Sequence, residues 1–313
     1  MDGPVTIGSS GTLRINLAGG GVASGSGFGQ FGANPHLQPV KADNLTVGFV
    51  ASPKGLPGLT ITADYFDIRQ TGVISFGIGS ALIAQDVETR GPASPYASHL
   101  RLGSFTGAPV TAPGQVGVNL SNVFITDDAV NLAGQKLAGL DLKVEKAFAL
   151  GGTGRLSVAT NVAVYDHFKV RALPTEPYYE YSGAGSFGGN SSNGTIPQWR
   201  AYTTVDYSHG PIAALVGHTF IAAIDDIGTG GSTASPAVRV GAYSAVDAHV
   251  AYHFGKSRFK THDWMKGLSF EAGAKNLFNR LPPVSPAFTQ SNADISTYSP
   301  LGRVVFLEAN QKF

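Results

Sequence analysis

Apolar and polar residues alternate one for one through most of this chain. The pattern restricts the fold more than any other feature, because successive side chains on a β-strand point to opposite faces. Leu45, Val47, Phe49 and Ala51 alternate with Thr46 and Gly48, and Leu59, Ile61, Ala63 and Tyr65 with Thr60, Thr62 and Asp64. The same rhythm returns at Leu140–Phe148, Leu156–Val164, Trp199–Tyr207, Val246–Phe254, Leu268–Ala274 and Val305–Phe313. Segment 212–224 is apolar on both sides and has no orientation of its own. Helical periodicity is almost missing, so the expected fold is all-β, with one apolar and one polar face on nearly every strand.

The connections carry a second pattern. Short turns at 53–57, 149–153 and 208–211 alternate with long loops at 77–115, 171–196, 225–240 and 279–301. A soluble sandwich has no reason to lengthen every second connection, whereas barrels of the bacterial outer membrane have short periplasmic turns and long extracellular loops. Composition agrees. Charged residues make up 14% of 313 and the net charge is +1, well under the ~25% of soluble domains. This balance argues against a nucleic-acid partner. No apolar run is long enough for a membrane helix, so a membrane location requires a barrel. The start MDGPVTIGSSG has no charged n-region or apolar h-region, so a membrane barrel is expected either to have lost its export signal or to be a fragment. With no cysteine in the chain, disulfides and thiolate chemistry are excluded.

The expected architecture is an antiparallel transmembrane β-barrel, partial, with about nine or ten strands of a larger barrel. Residues 1–43 read as a Gly/Ser-rich segment with a candidate first strand near Val5–Leu17 and an extracellular loop, and 44–313 as barrel strands. Tyr65, Phe148, Trp199, Tyr207, Tyr252, Phe254, Phe278 and Phe313 stand near strand ends, where interfacial aromatic girdles form.

Four segments resemble TonB-dependent outer-membrane receptors. Asn34-Pro35-His36-Leu37-Gln38-Pro39, leading into LTVGF, is similar to their NPxLxPE stretch, and Gly58–Ile68 to the strand GLxxxxDYYDI. Lys275-Asn276-Leu277-Phe278-Asn279-Arg280 resembles the NLF signature of the penultimate strand, and Tyr298-Ser299-Pro300-Leu301-Gly302-Arg303 the YxPxGR start of the last. The resemblance implies the C-terminal part of a barrel of about 22 strands, with the plug absent, in the outer membrane of a Gram-negative-type bacterium. It also implies TonB-energised uptake of a scarce ligand such as an iron siderophore, cobalamin or saccharide. Implied partners are outer-membrane lipid, the small-molecule ligand, the TonB system through a missing plug only, and the barrel assembly machinery, for which terminal Phe313 is the signal. A soluble secreted all-β binding module and a passive porin are the alternatives.

No enzyme, cofactor or metal site is expected. Asp247, His249 and His253 share a strand face, and neighbours at i and i+2 about 6.6 Å apart could meet one ion, but a polar, hydrated barrel interior accounts for them better. Gly27–Gly32 matches G-x-G-x-x-G without a following helix and reads as a loop. Tyr178, Tyr179 and Tyr181, with His99 and Arg101, are the candidate ligand-binding residues in extracellular loops, as aromatic faces and cations suit planar or anionic ligands.

Overall fold

The structure, a computed structural model, describes residues 6–17, 22–31, 34–75, 79–104, 106–117, 120–132, 134–171, 177–185, 194–226, 238–256, 262–285 and 291–312. The strands of four or more residues among them are β1 (Thr6–Asn16), β2 (Val22–Phe31), β3 (Lys41–Ala51), β4 (Leu59–Thr71), β5 (Val123–Thr126), β6 (Gly134–Ala149) and β7 (Arg155–Arg171). They continue with β8 (Trp199–His209), β9 (Ile212–Ile221), β10 (Tyr243–His253), β11 (Leu268–Lys275) and β12 (Val304–Gln311), and helix α1 covers Ser80–Arg90. The chain forms two compact units: Met1–Asp43 with Arg69–Gln135 and Arg171–Pro177, and Asn44–Ile68 with Lys136–Val170 and Tyr178–Phe313.

The second unit is built on a wall of long strands in the order β3-β4-β6-β7-β8-β9-β10-β11-β12. Each is hydrogen-bonded to its neighbours along the chain, and the pairs from β7 to β12 are antiparallel. The eight alternating sequence segments and the doubly apolar segment 212–224 each supply one of these strands. The register runs unbroken across the sheet. Val158 lies opposite Val205, Val205 opposite Val216, Val216 opposite Ala248, Ala248 opposite Ala274 and Ala274 opposite Val305. Residues directly opposite share a face, so this row belongs to one apolar face. Ser157, Asp206, Leu215, His249, Gly273 and Phe306 are aligned in the same way on the other. The register orients β9: Ile212, Ala214, Val216, His218 and Phe220 join the apolar face, and Ala213, Leu215, Gly217, Thr219 and Ile221 the polar one.

Within the second unit, no described residues form a second layer over the apolar face. Val47 is 62% exposed, Val305 74% and Leu307 79%, values that a sandwich core excludes and a lipid contact requires. Aromatic pairs close this band at both ends. Trp199 stacks on Phe220 at 4.5 Å, while Tyr252, Phe254 and Phe270 make an edge-to-face chain at 5.0 and 5.8 Å. From Trp199 to Tyr207 is eight residue steps, about 26 Å along a strand, comparable to the ~25 Å apolar belt of such barrels. Two pairs of polar side chains on this face meet within it, as lipid favours. The Thr160 and Thr203 hydroxyls lie 3.1 Å apart, and His218 Nε2 is 2.8 Å from Ser244 Oγ. Two glycines let bulky neighbours lie flat on the polar face. A Cβ at Gly217 would sit 2.8 Å from Tyr202 OH, and one at Gly273 2.5 Å from His249 Cβ and 2.8 Å from the Ala248 carbonyl.

The first unit has its own core of Ile15, Ile83, Ala84, Val87, Leu100, Val110, Val116, Leu120, Val123 and Ile125. β1 and β2 form an antiparallel hairpin, and β2 runs parallel to β5. Two expectations are corrected here. Segment 77–115 is not a plain loop, since α1 lies within it, buries Ile83, Ala84 and Val87, and anchors Glu88 on the Val116 and Gly117 N–H groups at 2.9 Å each. Its short apolar stripe between Gly79 and Gly91 is too brief to register as helical periodicity. Gly27–Gly32 lies largely in strand β2, because backbone pairing on both sides needs no side chain.

Candidate functional site

The polar face of the second unit carries a hollow of about 510 Å³. β4 and β6 line it with Thr62, Asp64, Asp141 and Lys143, and β7, β8 and β9 with Asn161, Arg200, Tyr202, Thr219 and Ile221. Thr297, from the connection between β11 and β12, closes one side. Alternation puts each of these strand residues on the same face. Tyr202 is 41% exposed, so its ring and the Arg200 guanidinium are open to a ligand. Cation and aromatic face together can hold an anionic, planar group. A second hollow, about 470 Å³, lies toward the short turns and includes Arg155, Asp206, His249, His253 and Glu271, with His249 Nδ1 3.1 Å from Glu271 Oε1.

The β11–β12 connection is tied down at both ends. Asn276 and Asn279 adopt left-handed backbones, with φ of 50° and 54°. Asn276 Nδ2 donates to the Arg280 carbonyl and its Oδ1 accepts from the Arg280 N–H, both at 2.7 Å. The Asn276 N–H donates to Asp247 Oδ1 at 2.7 Å. Asn279 Oδ1 accepts from the Arg303 N–H at 2.9 Å, and a Cβ on Gly302 would lie 2.5 Å from that same oxygen. The two motifs that flank the connection therefore clamp one another.

At its other end Tyr298 is buried edge-on against Tyr243 at 5.5 Å, beside Ile221. Burial pushes the Tyr298 phenol up to about 12, and the Asp294 charge adds to the shift. Burial alone would raise Asp294, but the Ser296 hydroxyl, the facing Thr297 and Thr195 hydroxyls and the Ser296 N–H outweigh it and hold the carboxyl below its ordinary 3.8. A depressed carboxylate stabilises the fold above the unfolded value and stops doing so as the pH falls through the folded one. Limited proteolysis should accordingly find the 276–303 connection protected at pH 6 and opened once the pH falls well below 3.8. The Asp294→Asn variant should show no such transition.

The candidates chosen from sequence fall in different places. His99 Nδ1 lies 2.9 Å from the Thr126 carbonyl with its ring edge-on to Tyr96, and Arg101 Nη1 donates to the Leu100 carbonyl at 3.3 Å, both within the first unit. In the second unit Lys136 Nζ sits 4.3 Å over the Tyr178 ring, Tyr179 is 49% exposed on a two-residue strand beside β7, and the Tyr181 N–H donates to the Phe168 carbonyl at 2.8 Å. Phe313 lies outside the described residues. Asp247, His249 and His253 do share a face, but Asp247 serves Asn276 and His249 serves Glu271. Among the described residues no group of three His, Asp or Glu side chains is placed to hold a metal. Lys143, Arg200 and Tyr202 were not singled out from sequence. The alternation puts Lys143 and Arg200 on polar faces, but their placement in one hollow, across the three strands β6, β7 and β8, depends on register.

Sequential strands that are apolar between two aromatic bands on one face and polar on the other form part of a transmembrane β-barrel of the outer-membrane type. The family model described as TonB dependent receptor-like, beta-barrel matches residues 7–277, and the chain belongs to that family of Gram-negative outer-membrane proteins. Solved structures agree on the fold. A ferric enterobactin receptor variant from Pseudomonas aeruginosa superimposes with a TM-score of 0.53 at 14% identity, covering 90% of this chain and 33% of that one. The siderophore receptor PirA from Acinetobacter baumannii gives 0.53 at 13%, covering 96% and 35%. The FrpB iron transporter from Neisseria meningitidis gives 0.51 at 12%, covering 90% and 32%. The chain thus spans about a third of the length of these receptors. No curated protein matches it.

Proposed function

We propose that this chain is barrel wall of a receptor that takes up a ferric siderophore, with energy delivered from TonB through a plug seated in the barrel. The observation that carries this reading is the polar-face hollow, which Arg200 and Lys143 line together with the open Tyr202 ring. Ferric siderophores often present anionic, ring-bearing faces, which suit a cation next to an aromatic surface. The iron and siderophore receptors that share the fold support the ligand class. Tyr178, Tyr179, Tyr181, His99 and Arg101 remain proposed ligand contacts of the long connections. Phe313 remains the proposed signal to the assembly machinery.

Growth complementation with the whole receptor reading frame tests the reading, with ferric siderophores, cobalamin and oligosaccharides offered as sole sources. Ferric siderophore should restore growth, and Arg200→Ala with Tyr202→Ala should weaken binding at least about tenfold, the effect of losing a charged contact of ~1.5–3 kcal/mol. Growth on cobalamin or oligosaccharide alone would discard the siderophore assignment.

A further inference from the structure

Within the second unit the wall strands hold the glycines Gly48, Gly139, Gly217 and Gly273, and alternation or register sets all of them on the polar face. At Gly48, Gly139 and Gly273 an added Cβ would run into backbone as well as a side chain, at the carbonyls of Ala63, Val164 and Ala248. Gly217 differs. The three atoms nearest to a Cβ there would all belong to Tyr202, its OH at 2.8 Å and its Cε2 and Cζ at 3.4 Å each. Tyr202 pairs directly with Thr219, so Gly217 is its diagonal neighbour on β9, two residues nearer the short turns. Diagonal neighbours stand about 7–8 Å apart, a span that an aromatic side chain covers when it lies along the sheet. The ring therefore rests over Gly217, which is buried beneath it, while Tyr202 keeps 41% of its surface open. Asn161 and Thr219 stand opposite Tyr202 on either side, and Arg200 lies two residues along on the same face. All of them line the same hollow.

We propose that Gly217 sets ligand choice in this hollow by holding the Tyr202 ring flat as a stacking platform, so that an anionic chelate bearing aromatic rings is preferred over an anionic chelate without them. The proposal rests on the reading of the hollow as a ferric-siderophore site and divides the labour there. Arg200 and Lys143 answer to negative charge, which both kinds of chelate carry. The platform answers to a ring, since offset stacking adds to the area buried only when the ligand has an aromatic face of its own. A side chain at 217 would lift the phenol end off the wall and into the hollow, filling the space that a ligand ring needs. The obstruction is narrow: the hydroxyl oxygen falls inside ordinary contact distance of the new Cβ, whereas the ring carbons at 3.4 Å do not. A phenylalanine at 202 would thus still lie flat over an alanine. Gly217 is a positioning residue, and it acts through Tyr202.

The test compares the affinity of the whole receptor for ferric tricatecholate with its affinity for ferric citrate, an anionic chelate that has no ring. Gly217→Ala should fold, because its methyl group displaces the tip of a side chain and no backbone. It should lower the ratio of the two affinities about two- to tenfold, the worth of one aromatic pair, and Tyr202→Leu, which leaves the glycine in place, should lower it as much. Gly217→Ala combined with Tyr202→Leu should go no lower than Tyr202→Leu alone, as two changes acting through one ring do not add. Gly217→Ala combined with Tyr202→Phe should regain most of the ratio, which a general loosening of the wall would not allow. An unchanged ratio in Gly217→Ala or in Tyr202→Leu, full additivity, or no rescue by phenylalanine overturns the platform and leaves the siderophore reading standing. Binding of neither chelate to the native receptor overturns the siderophore reading and the platform's ligand with it.

Discussion

Val216→Arg is expected to cost the folded barrel about 2–4 kcal/mol, the penalty for a cation near the middle of the lipid face. Val216 lies midway along β9 between Val205 and Ala248, in the row of apolar residues that no other part of the sheet covers. An arginine there must pull its guanidinium to the interface or thin the bilayer around it. Leu215, one residue away, points to the polar face and lines the hollow near the short turns. Leu215→Arg should change stability by no more than about 1 kcal/mol, because water hydrates the charge on that side. Urea unfolding of the receptor barrel in lipid vesicles measures both. Equal losses for the two variants would mean that the faces have been assigned wrongly.

The second large effect is expected at Asn276. Its side chain makes the paired bonds to Arg280 and reaches toward the Leu301 carbonyl at 3.4 Å, while the residue is 6% exposed. Alanine would leave the Arg280 N–H and carbonyl unpaired, at about 1–3 kcal/mol for each buried group, and would keep a left-handed backbone that suits asparagine far better. A total of about 2–4 kcal/mol follows after partial hydration. Asn276→Asp should lose less, because its carboxylate can still accept from the Arg280 N–H. The measurement is the fraction of receptor that keeps its folded, heat-modifiable mobility on electrophoresis. An unchanged fraction for Asn276→Ala would show that the clamp between the two motifs adds nothing to the last hairpin.

Several parts of this protein could be read directly from the order of its residues. The nine wall strands and the two faces of eight of them follow from the residue pattern, since a strand turns each side chain to the opposite side whatever surrounds it. The family motifs were visible too, but their mechanical meaning was not. Asn279 and Arg303 stand more than twenty positions apart, and only the fold shows them hydrogen-bonded to one another, with Gly302 packed close against the same Asn279 oxygen. Segment 77–115 misled for a related reason. A helix of eleven residues whose apolar stripe is three side chains, Ile83, Ala84 and Val87, leaves a periodic signal too short to stand out from a loop.

The linear pattern therefore settled which wall strands exist and, for eight of the nine, which face tolerates lipid, because both are local properties repeated every second residue. Which way β9 faces, how Arg200 and Tyr202 come to line one hollow with Lys143, and how Asp294 comes to lie near Thr195 had to await strand pairing. Each depends on register or on residues about a hundred positions apart brought together, and a period of two carries no information about partners at that distance.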